Sequence, residues 1–427
     1  MRLKHRSDWF PTVVAVLLPV QLPGVASLSF GLVIALLVFP VVFRLHWLQR
    51  LWFVWSSTIV LSLSGLILII VNRGSGSVIE FAPDLIRQSY LVVFALAVEA
   101  LVVVWLVFRL KISRTVVLFA IGSLVNSALH PEAWGENAWK YAFAFPASLL
   151  FVAMLGRLRR EVVLVGGLSL AGLSLALATR NTAGAVAISV ISQLLFGRRP
   201  VGGRTSSARF LLLGMVLVVA VSVIYDLILS FSLQGVFGPA LQRTAELQSL
   251  NSAPVAGRVE YGATFSLFWS QPWGFGPGAV PPVEVADIGK VGLQALGVGT
   301  SDDYVNNVMF GRTIEVHSIL GDLWVQFGVG GIVLGLTLIG TLLVGFRKSI
   351  ELCALQSRVI VTFLVFQAGW DLLFSPLAVN YRTVGFSFGI CLAFIALDSS
   401  NANEKLSISD LESDWDSLNS SSLREEK

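Results

Sequence analysis

Charge is the scarcest property of this 427-residue chain: Asp, Glu, Lys and Arg make up 13% of it, against 55% hydrophobic residues. A water-soluble globule carries about twice that share of charge. With a mean hydropathy of +0.78, the chain is excluded from the soluble class and reads as a polytopic membrane protein. Cysteine is nearly as scarce. The two present, Cys353 and Cys391, are expected in a loop and in a membrane span, a placement that supports neither a disulfide nor a thiolate metal site. A cleavable leader is missing as well. Residues 1–8 are basic, but the apolar run behind them is broken by Pro19 and Pro23 and has no small-residue cleavage site, so it reads as an uncleaved first span. No repeat with a period of about 20 to 50 residues stands out. Nor does an inverted pair of interrupted spans of the kind that secondary transporters carry, and both absences weigh against a transporter.

Long apolar runs are what the chain has in abundance. They cover roughly 9–24, 26–43, 51–71, 89–108, 115–128, 141–156, 162–178, 182–196, 210–230, 318–346, 359–374 and 383–397, most near the ~20 residues a helix needs to cross the hydrocarbon. Only helices fit such runs, because lipid offers an exposed backbone amide no partner. The expected fold is therefore an all-α bundle of about twelve transmembrane helices. With a cytoplasmic N-terminus, 21 of the 30 Lys and Arg fall in residues 1–8, 44–50, 109–114, 157–161, 197–209, 347–358 and the tail. That is the positive-inside asymmetry, and it puts both termini in the cytoplasm. Residues 1–397 form one membrane domain. The tail, 398–427, holds eight acids against three bases and too little apolar surface to offset the entropy of ordering, so it is expected to be disordered. Setting aside its charge of −5 turns the formal +4 of the chain into +9.

One long hydrophilic stretch, 231–317, interrupts the apolar pattern on the side opposite the termini. Nine basic residues remain on that side, and topology does not explain them. Arg180, in Ala178-Thr-Arg-Asn-Thr-Ala-Gly184, occupies a short hairpin that fixes a guanidinium at the membrane surface, where snorkelling to head groups is the bland explanation. The stretch Gly257-Arg258-Val-Glu260-Tyr-Gly-Ala-Thr-Phe265-Ser-Leu-Phe268-Trp269 reads as a helix with an apolar face for the membrane, stopped by Gln271-Pro272-Trp273-Gly274-Phe275-Gly276-Pro277-Gly278. Arg258 there is either an anion ligand near a helix N-terminus or a surface partner of Glu260. In Arg312-Thr-Ile-Glu315-Val-His317-Ser318 the loop re-enters the membrane. His317 and Ser318 are expected to face outward with free backbone N–H groups, a setting for phosphate or sugar hydroxyls. Downstream, Gly328, Gly330 and Gly331 suit close helix packing. Arg382 is expected in an outer hairpin after Pro376, as a supplement to the anion site or a snorkelling residue. Glu260 and Glu315 could orient the basic groups or act as bases. Glu99, Asp226 and Asp371 fall in or beside spans, where carboxylates call for partners, with Gln367 one turn before Asp371. Cationic groups over an apolar bundle suit an anionic head group whose hydrocarbon tail stays in the lipid.

The Arg180 hairpin, the Arg258 helix with its Pro272–Gly278 turn, and the His317-Ser318 to Gly331 segment occur in the order and positions of the O-antigen ligase and polymerase superfamily, which the chain resembles over about 165–345. The resemblance implies a C-type glycosyltransferase-like bundle in the bacterial inner membrane, with its site on the periplasmic face. It implies transfer of a glycan from undecaprenyl diphosphate to a saccharide, lipid or protein acceptor, without metal or other cofactor. Membrane lipids and other polysaccharide-assembly proteins are the further partners, and nucleic acid is not one. Arg180, Arg258 and His317 correspond to the family's essential arginines and histidine, with Ser318, Arg312, Glu260, Glu315 and Arg382 as candidate substrate-binding neighbours. No Asp-rich outer motif stands near the first span to supply a carboxylate base. Ligase and polymerase use the same donor, and overall resemblance leans to ligase. A carrier of a small anion such as bicarbonate and a non-catalytic assembly subunit docked through the acidic tail are the alternatives.

Overall fold

The computed structural model describes residues 8–22, 25–43, 51–74, 79–135, 137–155, 160–177, 179–196, 230–236, 238, 242, 260–296, 303–352 and 355–401. Among them the protein is mostly helical. In chain order the helices are α1 Trp9–Leu17, α2 Phe30–Phe43, α3 Trp52–Gly74, α4 Pro83–Leu110, α5 Ile112–Leu129, α6 Ala144–Leu155, α7 Arg160–Ala176, α8 Arg180–Phe196, α9 Glu260–Ser270, α10 Val283–Ala295, α11 Ile319–Leu352, α12 Leu355–Phe374 and α13 Leu377–Asn401. Six of the described helices, α3, α4, α5, α11, α12 and α13, are long and apolar enough to cross a membrane, and three shorter apolar helices lie over 139–154, 161–176 and 181–192. This is a helical membrane protein. Of the expected spans, 210–230 lies outside the described residues except for its last residue. The run 9–24 is helical only to Leu17, after which Gln21–Leu22 (β1) pairs antiparallel with Val25–Ser29 (β2). Pro19 lacks the N–H a continuing helix needs, and the helix ends before it. At the other end α13 continues to Asn401, four residues into the stretch expected to be disordered. The rest of the acidic tail lies outside the described residues.

The bundle is organised around α4. Its first turn has Pro83 at a position where a missing N–H costs nothing and Asp84 where a carboxylate meets the helix dipole. Lys111 then ends it with a left-handed φ of 69°, and α5 starts at the next residue. From Val92 to Val107 every residue but Phe94 is buried, as expected of a helix that is apolar all round and enclosed by neighbours. Its principal neighbour is α13, where Gly385 and Gly389 bring the two backbones together: a Cβ on Gly389 would lie 2.5 Å from the Ala100 carbonyl oxygen. Small residues four apart are the usual means of close approach in lipid, where apolar burial itself drives nothing.

The other organising feature is a break in α11. Gly328 has φ 54° and ψ −130° in the middle of the helix, a conformation essentially reserved for glycine. The turn after α9 fills the break. Phe275 N–H and Gly276 N–H donate to the Val325 carbonyl at 2.7 and 3.2 Å, and Trp324 Nε1 donates to the Pro272 carbonyl at 2.8 Å. From α3, Ser64 Oγ donates to the Phe327 carbonyl at 2.7 Å and accepts the Gly330 N–H at 3.3 Å. Asn72 Nδ2 donates to the Phe275 carbonyl at 2.7 Å. Backbone groups released by the break are thus paired again, the condition for irregular backbone at membrane depth. The turn continues into Ala279–Val280 (β4), which pairs antiparallel with Glu80–Phe81 (β3) between α3 and α4. The glycines expected to serve close packing therefore have a second use at Gly328. A side chain there would strike the Trp273 carbonyl, so Gly328→Ala is expected to cost at least the ~1–3 kcal/mol of a strained backbone residue. A fall in the thermal midpoint of the purified protein would report it.

Candidate functional site

His317 lies at the junction between the long hydrophilic segment and α11, and the local sequence holds it there. Its φ of 50° is left-handed although it is not glycine, a conformation that persists only where neighbours over-determine it. The neighbours on both sides are fixed. On one side, the Val316 N–H donates to Asp322 Oδ1 at 3.0 Å. On the other, Ser318 Oγ caps α11 by accepting the Gly321 N–H at 3.2 Å and donates to the Leu372 carbonyl at 3.1 Å. The second oxygen of Asp322 accepts the Leu377 N–H at 2.8 Å, so one buried carboxylate ties the loop junction to the first residue of α13. Ser318, expected to face outward beside the imidazole, is instead buried, with its hydroxyl committed to the cap and to α12. Capping of the first turn of a span uses the same side-chain type as anion binding, so sequence does not separate the two roles.

The His317 ring packs edge-on against Tyr304, with centroids 5.2 Å apart. Tyr304 belongs to a short widened turn, Tyr304–Met309, and its hydroxyl donates to Glu260 Oε1 at 3.0 Å at the start of α9. Glu260, Tyr304 and His317 therefore form one contiguous set drawn from three segments of the loop. Among the described residues, the buried Nδ1 of His317 has no hydrogen-bond partner. The contrast with His130 is informative. There Nδ1 meets Glu132 Oε1 at 2.8 Å, and the Glu132 carboxyl is held below the ordinary glutamate range by its own backbone N–H and then by His130. That exposed contact holds above the usual carboxylate pKa and is lost as pH falls through the lowered one.

The remaining expected site residues separate. Arg180 is the first residue of α8. Ser192 of that helix meets Thr362 of α12 at 3.3 Å, and Gly184 lies against Phe366. The α8 N-terminus thus points along α12 toward Leu372 and His317, placing the Arg180 backbone at the same end of the bundle. Arg258 lies outside the described residues. Arg312 is 78% exposed and donates to Asp84 Oδ2 of α4 at 2.9 Å, a surface pair rather than part of the His317 set. Glu315 accepts from Thr313 Oγ1 at 3.1 Å, one residue from the junction. Arg382, expected in an outer hairpin, is instead buried within α13. Its Nε donates to Tyr381 Oη at 2.9 Å, and it interacts electrostatically with Glu99 of α4, which also accepts from Ser29 Oγ at 3.0 Å. Asp371 accepts from Gln367 Nε2 at 3.2 Å and Ser375 Oγ at 2.8 Å, near the C-terminal end of α12. Cys391 is a buried free thiol. Among the described residues no group of three or more His, Cys, Asp and Glu could hold a metal ion.

Sequence reading missed Asp322 and Tyr304. Asp322 carried one signal, a carboxylate in the first turn of an apolar span. Tyr304 carried none, because its partners lie 44 residues before it and 13 after. Replacing Asp322 with Ala leaves the Val316 and Leu377 N–H groups unpaired and is expected to cost about 1–3 kcal/mol for each. Arg312→Ala should cost about 0–1 kcal/mol, the range for an exposed pair. Thermal denaturation of the two variants side by side checks the difference. Comparison with family models, curated proteins and solved structures finds no match to this chain.

Proposed function

We propose that the protein is a membrane glycosyltransferase of the O-antigen ligase and polymerase kind, which takes a glycan from undecaprenyl diphosphate at the membrane face where His317 lies, the periplasmic face of the inner membrane. The observation that carries this reading is His317 itself. It is an imidazole on strained backbone, clamped on both sides, with an unpaired buried nitrogen at the mouth of an apolar bundle. Such a group is positioned for chemistry on a head group whose hydrocarbon tail remains among lipid-facing helices.

In the reaction the acceptor hydroxyl oxygen attacks the anomeric carbon while the bond from that carbon to the diphosphate breaks. The bond's electron pair leaves with the diphosphate, and the hydroxyl gives up its proton. Guanidinium groups of Arg180 and Arg258 would hold the charge growing on the leaving group. His317 serves either by accepting the acceptor's proton or by hydrogen-bonding the diphosphate. Glu260 acts through Tyr304, whose ring sets one wall of the imidazole. Arg312 and Arg382 have other partners and are left out of the site. The carrier alternative draws support from the broken α11, since interrupted spans often form ion sites. The carbonyl released at Val325 is, however, already taken by Phe275 and Gly276.

The test uses purified protein, lipid-linked repeat units and a separate acceptor. His317→Asn keeps a residue that tolerates left-handed backbone while removing the imidazole. It is expected to fold and to lose transfer by at least about 100-fold, the lower range of a general acid or base. Arg180→Lys should also be strongly impaired, because a point charge does not replace a forked donor, whereas Arg312→Ala should stay within about twofold of the unaltered protein, as a surface pair of little energy predicts. Normal transfer in His317→Asn would overturn the site. A ladder of products identifies a polymerase, and a single transfer onto the acceptor identifies the ligase that the resemblance favours.

A further inference from the structure

The two helices of the hydrophilic segment present different outer faces. On α9, Gly262, Ala263 and Leu267 are buried, and Phe268 turns inward to meet Trp324 at 5.3 Å between ring centroids. One turn apart on the opposite face, Phe265 is 58% exposed and Trp269 79% exposed, and just beyond the helix Trp273 is 69% exposed. From Tyr261 to Trp273 there is no charged residue. On α10 the exposed positions are mixed: Glu284, Asp287 and Gln294 stand beside Val283 and Val291, which are 72% and 62% exposed. A face of Phe and two Trp without charge is costly against water, whereas α10 carries carboxylates among its exposed positions.

The position of α9 in the bundle says what covers this face. Tyr261 Oη donates to the Leu373 carbonyl at 2.8 Å, and its ring meets Phe374 edge-on at 5.9 Å. These residues are the last turn of α12, an apolar helix long enough to span a membrane. Trp324, which receives Phe268, lies in the second turn of α11. Thus α9 lies across the ends of two spans, where hydrocarbon gives way to head groups and where amphipathic aromatic rings are favoured.

We propose that Phe265, Trp269 and Trp273 form a membrane-seating face, with the phospholipid interface of the leaflet nearest His317 as its occupant. The same turn that seats in lipid fills the break in α11, since the Trp273 carbonyl abuts Gly328. Lipid on one side and the α11 break on the other hold Pro272–Gly276 between them. The carboxylates of α10, Glu284 and Asp287, stay in water. This assignment is independent of the transfer reaction.

The experiment places a nitroxide label at Phe265→Cys, Trp269→Cys, Asp287→Cys or Gln294→Cys, with Cys353→Ser and Cys391→Ala throughout, in the full chain reconstituted into phospholipid vesicles. Collision rates with oxygen, which concentrates in lipid, and with a water-soluble nickel chelate are then compared. The expected result is an oxygen-to-nickel ratio severalfold higher at 265 and 269 than at 287 and 294. Equal nickel access at all four positions would overturn the proposal. So would an immobilised label at 265 and 269 reached by neither agent, which would mark a protein partner or second copy instead. Lipids brominated near the head group give a readout free of cysteine replacement. Trp269→Phe and Trp273→Phe should each reduce the quenchable share of tryptophan emission, and unchanged quenching in both would count against the seat.

Discussion

The whole arrangement depends on one constraint of the lipid environment: a backbone N–H or carbonyl released from a helix must find another partner inside the protein. At Gly328 the chain interrupts its 34-residue helix and meets that constraint with backbone from the Pro272 turn and side chains of α3. The interruption fixes the path of the turn, and the turn in turn orients α9. The first residue of α9, Glu260, holds Tyr304 against His317. A helix break on one side of the bundle is thereby linked, through ordinary hydrogen bonds, to the side chain most suited to chemistry.

Two carboxylates inside the apolar region serve different ends. Asp322 collects two backbone N–H groups from distant segments and thereby fixes both the entry of α11 and the start of α13. Glu99 accepts a hydrogen bond from the Ser29 hydroxyl and lies in the field of the Arg382 guanidinium. Neither has the environment of His317, where a polar atom is left without an internal partner. His317 differs from them in combining that atom with a left-handed backbone clamped on both sides.

Much of the architecture was legible because lipid simplifies the code. Apolar runs gave the positions of α3, α5, α11 and α12 to within a few residues, and the start of α11 just after Ser318 followed from the return of hydropathy. The α9 helix and its Pro272 stop followed from periodicity and from residues that end helices. Hydropathy alone did not show that α4 is enclosed while α3 faces lipid, since both are uniformly apolar. Nor did it show the break at Gly328, which is set by a loop some fifty residues earlier in the chain. Arg382 was misplaced for a related reason: a guanidinium near a proline turn resembles a surface residue unless its carboxylate partner, 283 positions away, is known. Tyr304 was invisible because an aromatic residue in a polar loop carries no pattern.

The enclosure of α4 has a consequence for biogenesis. Its main companion, α13, begins more than 260 residues after α4 ends, so α4 enters the bilayer long before the surface meant to cover it exists. During that interval Glu99 lacks the nearby charge of Arg382, and the backbone later approached by Gly389 is open to solvating acyl chains. The core around α4 is therefore closed only when α13 arrives and displaces lipid.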